Sequence, residues 1–344
     1  MLVDGAVFTG VGRRTAAAAN ETGAGALPGN EHLWERRFMR KEGRHDKKVR
    51  IGLSGWTYAP WRGHFYPKGL AQKRELSYAA DQFPALEVNG TFYGLQKPEV
   101  FERWEEAVPD DFVFAIKGSR YITHVLRLRD VETPLSNFLA SGLLRLGSKL
   151  GPLLWQFPPS FRFDAALMEK FLKLLPKDTQ EAAGLAKRHD KRLDGRAWVE
   201  TDKKRPLRHA VEIRHDSFRD PAFIDLLRRH GIALVCADTA DWPLLMDLTA
   251  DFVYCRLHGS KELYRSRYDE ADLERWAARI RAWHSGQPIR DGDFAADQKS
   301  ATDQPRDIYL FFDNTDKRHA PQDAAVLMRM LGIAWPEAAK PKAA

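Results

Sequence analysis

The sequence predicts a single α/β domain, a (β/α)8 barrel of the TIM type, and three observations carry that expectation. After residue 48, short apolar runs ending in polar residues recur eight times. Segments of helical spacing separate most of them, and the charged residues inside several runs fall on one parity of the strand. Such alternation is the pattern of parallel strands covered by helices, and about 250 residues suffice for one barrel.

In chain order, residues 1–48 lack periodicity and are read as a mobile extension; the barrel spans 49–335 and a short tail covers 336–344. The expected strands are VRIGLSGW (49–56), ALEVNGTF (85–92), FVFAIKGS (112–119), GPLLWQF (151–157), HAVEIRH (209–215), ALVCAD (233–238), FVYCRLHG (252–259) and DIYLFFDN (307–314). Helices are expected at RELSYAADQF, PEVFERWEEAV, PLSNFLASGLLRLG, AALMEKFLKLL, PAFIDLLRRH, EADLERWAARIRAWH and PQDAAVLMRMLG. Several begin at Pro or stop at Gly, where a missing donor or a left-handed residue is tolerated. Between Asp238 and Phe252 the chain is too short for a full helix. Two insertions interrupt the rhythm, a basic one at 176–205 that extends the fourth unit and a polar loop at 286–306.

Composition excludes several classes. Hydrophobic residues at 44% and charged residues at 29% are globular values. A formal charge of +7 permits an anionic partner but is spread along the chain. Two cysteines make no disulfide framework and fit a cytoplasmic setting, and no apolar stretch of about 18 residues suggests a membrane span.

Strand parity then points to a site. The outer face of a parallel barrel strand lies under helices and is apolar, while inward residues near the C-terminal end line the mouth. On that rule Ser54, Trp56, Glu87, Asn89, Lys117, Gln156, Glu212, Arg214, Asp238, Arg256, His258 and either Asn314 or Asp313 face inward. Buried charges are tolerable only when paired or solvated, so the set is either a ligand site or a self-neutralising plug.

Taken together, IGLSGWTYAPWRGHFYP, EVNGTFYGLQKPEVFERW, FVFAIKGSRYITH, LLWQFPPSF, AVEIRHDSF, YCRLHG and FFDNT resemble the YecE-like family, domain of unknown function 72, from about Ile51 to Gly332. The resemblance implies a TIM-barrel-like fold and brings no assigned reaction, so roles must come from the residues.

Glu212, His258 and Asp238 are the catalytic candidates, carboxylates beside a histidine that titrates near neutrality. Lys117, Arg120 and His124 form a donor cluster suited to phosphate or carboxylate, or else counter-charges for Glu87 and Glu212. Glu87, Asn89, Gln156, Arg214, Arg256 and Asn314 complete the substrate-binding set, and Tyr93 offers either a stacking surface or packing. Cys236, with inward parity, is read as a buried thiol.

No cofactor is expected. A small anionic ligand is the expected partner, turned over without a metal. The first alternative is a divalent metal on Glu87, Glu212, Asp238 and His258, acting on nucleic acid as in the endonuclease IV class, with the basic stretch AKRHDKRLDGR in support. Lys117, Arg214 and Arg256 would compete with that cation. The second alternative is a non-catalytic ligand- or nucleic-acid-binding protein.

Overall fold

Eight parallel strands, β1 (Val49–Ser54), β2 (Ala85–Val88), β3 (Val113–Lys117), β4 (Leu150–Gln156), β5 (His209–Glu212), β6 (Ala233–Asp238), β7 (Phe252–Leu257) and β8 (Asp307–Phe312), close a barrel in chain order, with β8 paired to β1. This computed structural model describes residues 47–259, 267–298, 304–314 and 318–335. The expected extension over 1–48, apart from Lys47 and Lys48, and the tail over 336–344 lie outside the described residues.

The helices are α1 (Glu75–Ala80), α2 (Gly90–Tyr93), α3 (Pro98–Glu106), α4 (Glu132–Ala140), α5 (Ala165–Leu174), α6 (Thr179–Ala186), α7 (Pro221–His230), α8 (Glu270–Ser285) and α9 (Ala320–Met330). Their ends have local causes. Asp220 accepts from the Ala222 amide at 2.8 Å to start α7, and Gly231 at φ +64° stops it. Asp269 starts α8 by accepting from the Asp272 amide at 2.9 Å. No described helix is long and apolar enough to cross a membrane.

Two apolar layers hold the barrel. Outside, Ile51, Leu53, Leu86, Phe114, Trp155, Val211, Leu234, Val253 and Leu310 pack under the helices. Inside, Phe252, Tyr254, Tyr309 and Phe311 on β7 and β8 fill the space against Ala85, Ala115, Ala210, Ala233 and Ala237 on the other strands. Large rings on one side stand opposite alanines on the other in the lower barrel.

Departures from the expected boundaries matter at the mouth. β2 ends at Val88, and Gly90–Tyr93 turns into one helical turn, which lifts Tyr93 to 75% exposure. β3 ends at Lys117 and leads into a π-helical turn at Tyr121–Val125, a geometry frequent at functional sites. Gly118 sits between them because a Cβ there would come within 2.4 Å of the Trp155 ring. Arg127, Leu128 and Asp130 just beyond the turn have positive φ, uncommon for such side chains.

Of the insertions, 176–205 contributes α6, which packs on α4. The described part of the 286–306 loop up to residue 298 docks on the connection after β6: the Met246 amide donates to the Asp293 carbonyl, and the Asp247 carboxylate accepts from the Ala295 and Ala296 amides. As expected, no described helix lies between β6 and β7.

Candidate functional site

Above the apolar inner layer the character of the barrel changes. At the strand ends Ser54, Glu87, Lys117, Gln156, Glu212, Arg256, His258 and Asp313 replace it, with Asn89 and Arg214 one step further out. These are the inward continuations of Gly52, Ala85, Ala115, Leu154, Ala210, Tyr254 and Phe311, so side-chain alternation along each strand places them.

Arg256 is the hub. Its guanidinium donates to Glu87 at 2.8 and 3.0 Å, to Glu212 at 2.6 Å and to Asp313 at 2.8 Å, and it lies 3.3 Å from Nε2 of His258. Glu87 also accepts from Ser54 and Tyr254, each at 2.6 Å. Arg214 reaches the second oxygen of Glu212 through Nε at 2.8 Å and a terminal nitrogen at 2.7 Å, and stacks on Trp242 at 3.7 Å.

Electrostatics follow from that wiring. Burial pushes the Glu212 carboxyl up, but Arg256 and Arg214 outweigh it and hold the group well below the carboxylate range. Burial and Arg256 hold His258 below its ordinary value, against the pull of Asp313 at 3.3 Å. Two of the three catalytic candidates, Glu212 and His258, therefore sit inside the buried network, and both oxygens of Glu212 are taken.

Lys117 is different. It is 8% exposed, and its ammonium makes no hydrogen bond or ion pair to any described residue; its contact is the Phe92 ring, 4.4 Å away. Burial and Arg256 lower it to about 8, opposed by Glu212, Glu87 and Asp313. Beside it, His124 packs edge-on against Phe92 at 5.0 Å, shares a hydrogen bond with Thr123 at 2.8 Å and lies 3.5 Å from Gln156. Burial, then Lys117 and Arg214, lower His124 to about 4. Asn89 donates to Ser54 at 2.8 Å, and its buried Oδ1 accepts no hydrogen bond.

Four inward assignments are corrected. Asp238 points outward and accepts from Nε1 of Trp276 on α8 at 2.8 Å, while Ala233, Val235 and Ala237 hold the inner face of β6. Cys236 shares the outward face with Asp238 and faces Cys255 on β7. Asn314 turns outward to Asp323 at 3.0 Å, so Asp313 takes the inward place. Trp56 packs on Trp104 and Phe114 outside the barrel. Arg120 is exposed at the start of the π-helical turn, and Tyr93 is exposed beside Phe92. Asp313 was one of the two inward options at the end of β8, whereas Tyr254 and Trp242 were absent from the sequence set; Tyr254 carried a signal, since it shares parity with Arg256 and His258.

Among the described residues no group of three or more His, Cys, Asp or Glu side chains is arranged to hold a metal. Glu87 and Glu212 face arginines, and Asp238 has left the mouth. The basic stretch at 186–196 belongs to the connection leading back to the start of β5, at the end of the barrel opposite these charges. A cleft of about 420 Å³ between α8 and α9, lined by Tyr268, Leu273, Val326 and Met330 among others, belongs to the outer helical layer and not to the mouth.

Comparison with known proteins agrees with this architecture. The family described as Protein of unknown function DUF72 matches residues 50–344. The UPF0759 protein YecE of Escherichia coli K12 is 25% identical over 294 residues, 84% of this chain and 94% of that protein. The UPF0759 protein YunF of Bacillus subtilis is 30% identical over 118 residues, 33% of this chain and 41% of that one. A DUF72 crystal structure from Thermotoga maritima superposes with a TM-score of 0.61 at 25% identity, covering 83% of this chain and 99% of that one. A second, from Enterococcus faecalis, gives 0.61 at 17% identity over 83% of this chain and 96% of that one. Matched along the barrel in sequence and in fold, the chain belongs to the DUF72 family.

Proposed function

We propose that this barrel is a metal-independent enzyme that acts in the cytoplasm on a small anionic substrate, phosphorylated or carboxylated, at the C-terminal mouth. The observation that carries the reading is Lys117, a largely buried ammonium that makes no hydrogen bond or ion pair to any described residue. A buried ammonium is normally paired, and an incoming anion supplies the missing acceptor. Arg256, Arg214 and Lys117 against Glu87, Glu212 and Asp313 give three positive and three negative formal charges, so the network is balanced before ligand arrives.

Arg256 and its three carboxylates set the position of Arg214, while Lys117, Arg120, His124 and Gln156 meet the substrate. Lys117, at about 8, is the group able to exchange a proton near neutrality. Arginines on Glu87 and Glu212 leave those carboxylates ill-suited to a divalent ion, which favours metal-free chemistry. Two buried free thiols agree with a reducing compartment.

Thermal-shift screening of phosphorylated and carboxylated metabolites, followed by turnover assays in a chelator, tests the proposal. An acidic compound should stabilise the wild type but not Lys117→Met and be converted with the chelator present. Stabilisation without conversion would make the protein a binder, and no response to any anion would overturn the reading.

A further inference from the structure

We propose that Lys117 is a nucleophilic lysine whose Nζ condenses with the carbonyl carbon of an aldehyde or ketone that also carries the anionic group. The inference rests on the anion-binding reading above and narrows its substrate class.

The arrangement of charges carries it. Three carboxylates lie within electrostatic reach of Lys117, yet none pairs with it. Glu87 is taken by Arg256, Ser54 and Tyr254, Glu212 by Arg256 and Arg214, and Asp313 by Arg256 and His258. Arginine keeps its charge permanently, so the site assigns its fixed cations to the carboxylates and leaves the one that can shed a proton facing the mouth. Burial and the Arg256 guanidinium favour the free amine of Lys117, which is the form a nucleophile needs.

The supports are placed for the same step. Thr91 donates to the backbone carbonyl of Lys117 at 2.7 Å, fixing the strand end, and Nζ lies over the Phe92 ring, 4.4 Å from its centroid. Asn89 holds a buried Oδ1 with no donor, an acceptor available to a hydroxyl formed at the former carbonyl carbon. Arg214 and Arg120 provide charge for the substrate's anionic group.

The condensation needs no oxidant or reductant. The Nζ lone pair attacks the carbonyl carbon, a C–N bond forms, and the C=O π pair moves to oxygen, which takes one of the two amine protons to give the carbinolamine. The C–O bond then breaks as the nitrogen lone pair forms the C=N bond, and the departing hydroxide takes the second amine proton and leaves as water, giving the imine. Burial and Arg256 on β7 favour the free amine of Lys117, and Glu212 on β5, Glu87 on β2 and Asp313 after β8 oppose them; Arg214 after β5, His258 after β7, and Arg120 and His124 after β3 are the other titratable or charged groups around the mouth.

The test incubates the full chain with pyridoxal 5′-phosphate, or separately with pyruvate, reduces with borohydride and maps the modified peptide by mass spectrometry. Labelling should concentrate on Lys117, accelerate as pH rises through about 8, and fall severalfold when inorganic phosphate competes. Lys117→Arg should lose the label yet keep the thermal stabilisation by phosphate. Label scattered over surface lysines with Lys117 unmodified, while phosphate still stabilises the protein, would overturn the nucleophile and leave the anion site standing. Absence of both effects would overturn both.

Discussion

Replacing Lys117 by Met should make the protein more stable. The side chain is 8% exposed, and its ammonium falls from an ordinary 10.5 to about 8 in the folded state. At about 1.4 kcal/mol per pH unit, that corresponds to a cost of about 3 kcal/mol for carrying the charge at pH 7. Methionine matches the stem in volume and removes the charge. It also loses the contact with Phe92, worth about 1 kcal/mol. The net expectation is a gain of about 2 kcal/mol, read as a higher urea midpoint with an unchanged slope. The sign with pH is fixed. Below about 8 Lys117 is charged in both folded and unfolded states and the full cost is present. Between about 8 and 10.5 only the unfolded chain holds the proton, so wild-type stability rises toward that of the variant. Equal or lower stability of Lys117→Met at pH 7, or a gain that does not shrink over that interval, would refute the reasoning.

Arg256→Met should destabilise the fold by about 3–5 kcal/mol in urea at pH 7, because it strands buried carboxylates. The wild-type Glu212 carboxyl is held low, so it contributes stability above its unfolded value that is lost on acidification. In the variant that carboxyl rises and the sign reverses, so the deficit should narrow toward acid pH. Asp238→Asn keeps an acceptor for Trp276, so denaturation should register a change of about 1 kcal/mol or less, and stabilisation by phosphate should match the wild type. Tyr93→Ala, at 75% exposure, should stay within about 0.5 kcal/mol of the wild type, while calorimetry shows weaker binding of planar acidic ligands.

Where a strand alternates charged and apolar residues, its direction was readable from sequence. Glu87, Glu212 with Arg214, and Arg256 with His258 sit where parity puts them, because only the inner mouth tolerates their charge. β6 and β8 were not readable in that way. ALVCAD and IYLFF are apolar on both faces, since the lower barrel interior is as dry as the helix interface, so nothing fixed the phase that sends Asp238 and Asn314 outward. The glycine-containing run after β2 read as more strand and became a helical turn, and the π-helical turn after β3 has no periodic signature. Parity collected the charges but could not show that the arginines would absorb the carboxylates and leave Lys117 apart, because that depends on side-chain reach across the mouth.

The most direct measurement is the titration of the lysine side-chain carbons by NMR in uniformly labelled protein, with Lys117→Arg identifying the resonance, in the absence and presence of inorganic phosphate. One resonance should titrate near 8, disappear in the variant, and move to higher pH when phosphate binds the charged form. A Lys117 that titrates in the ordinary lysine range and ignores phosphate would contradict a mouth built around an ammonium awaiting an anion.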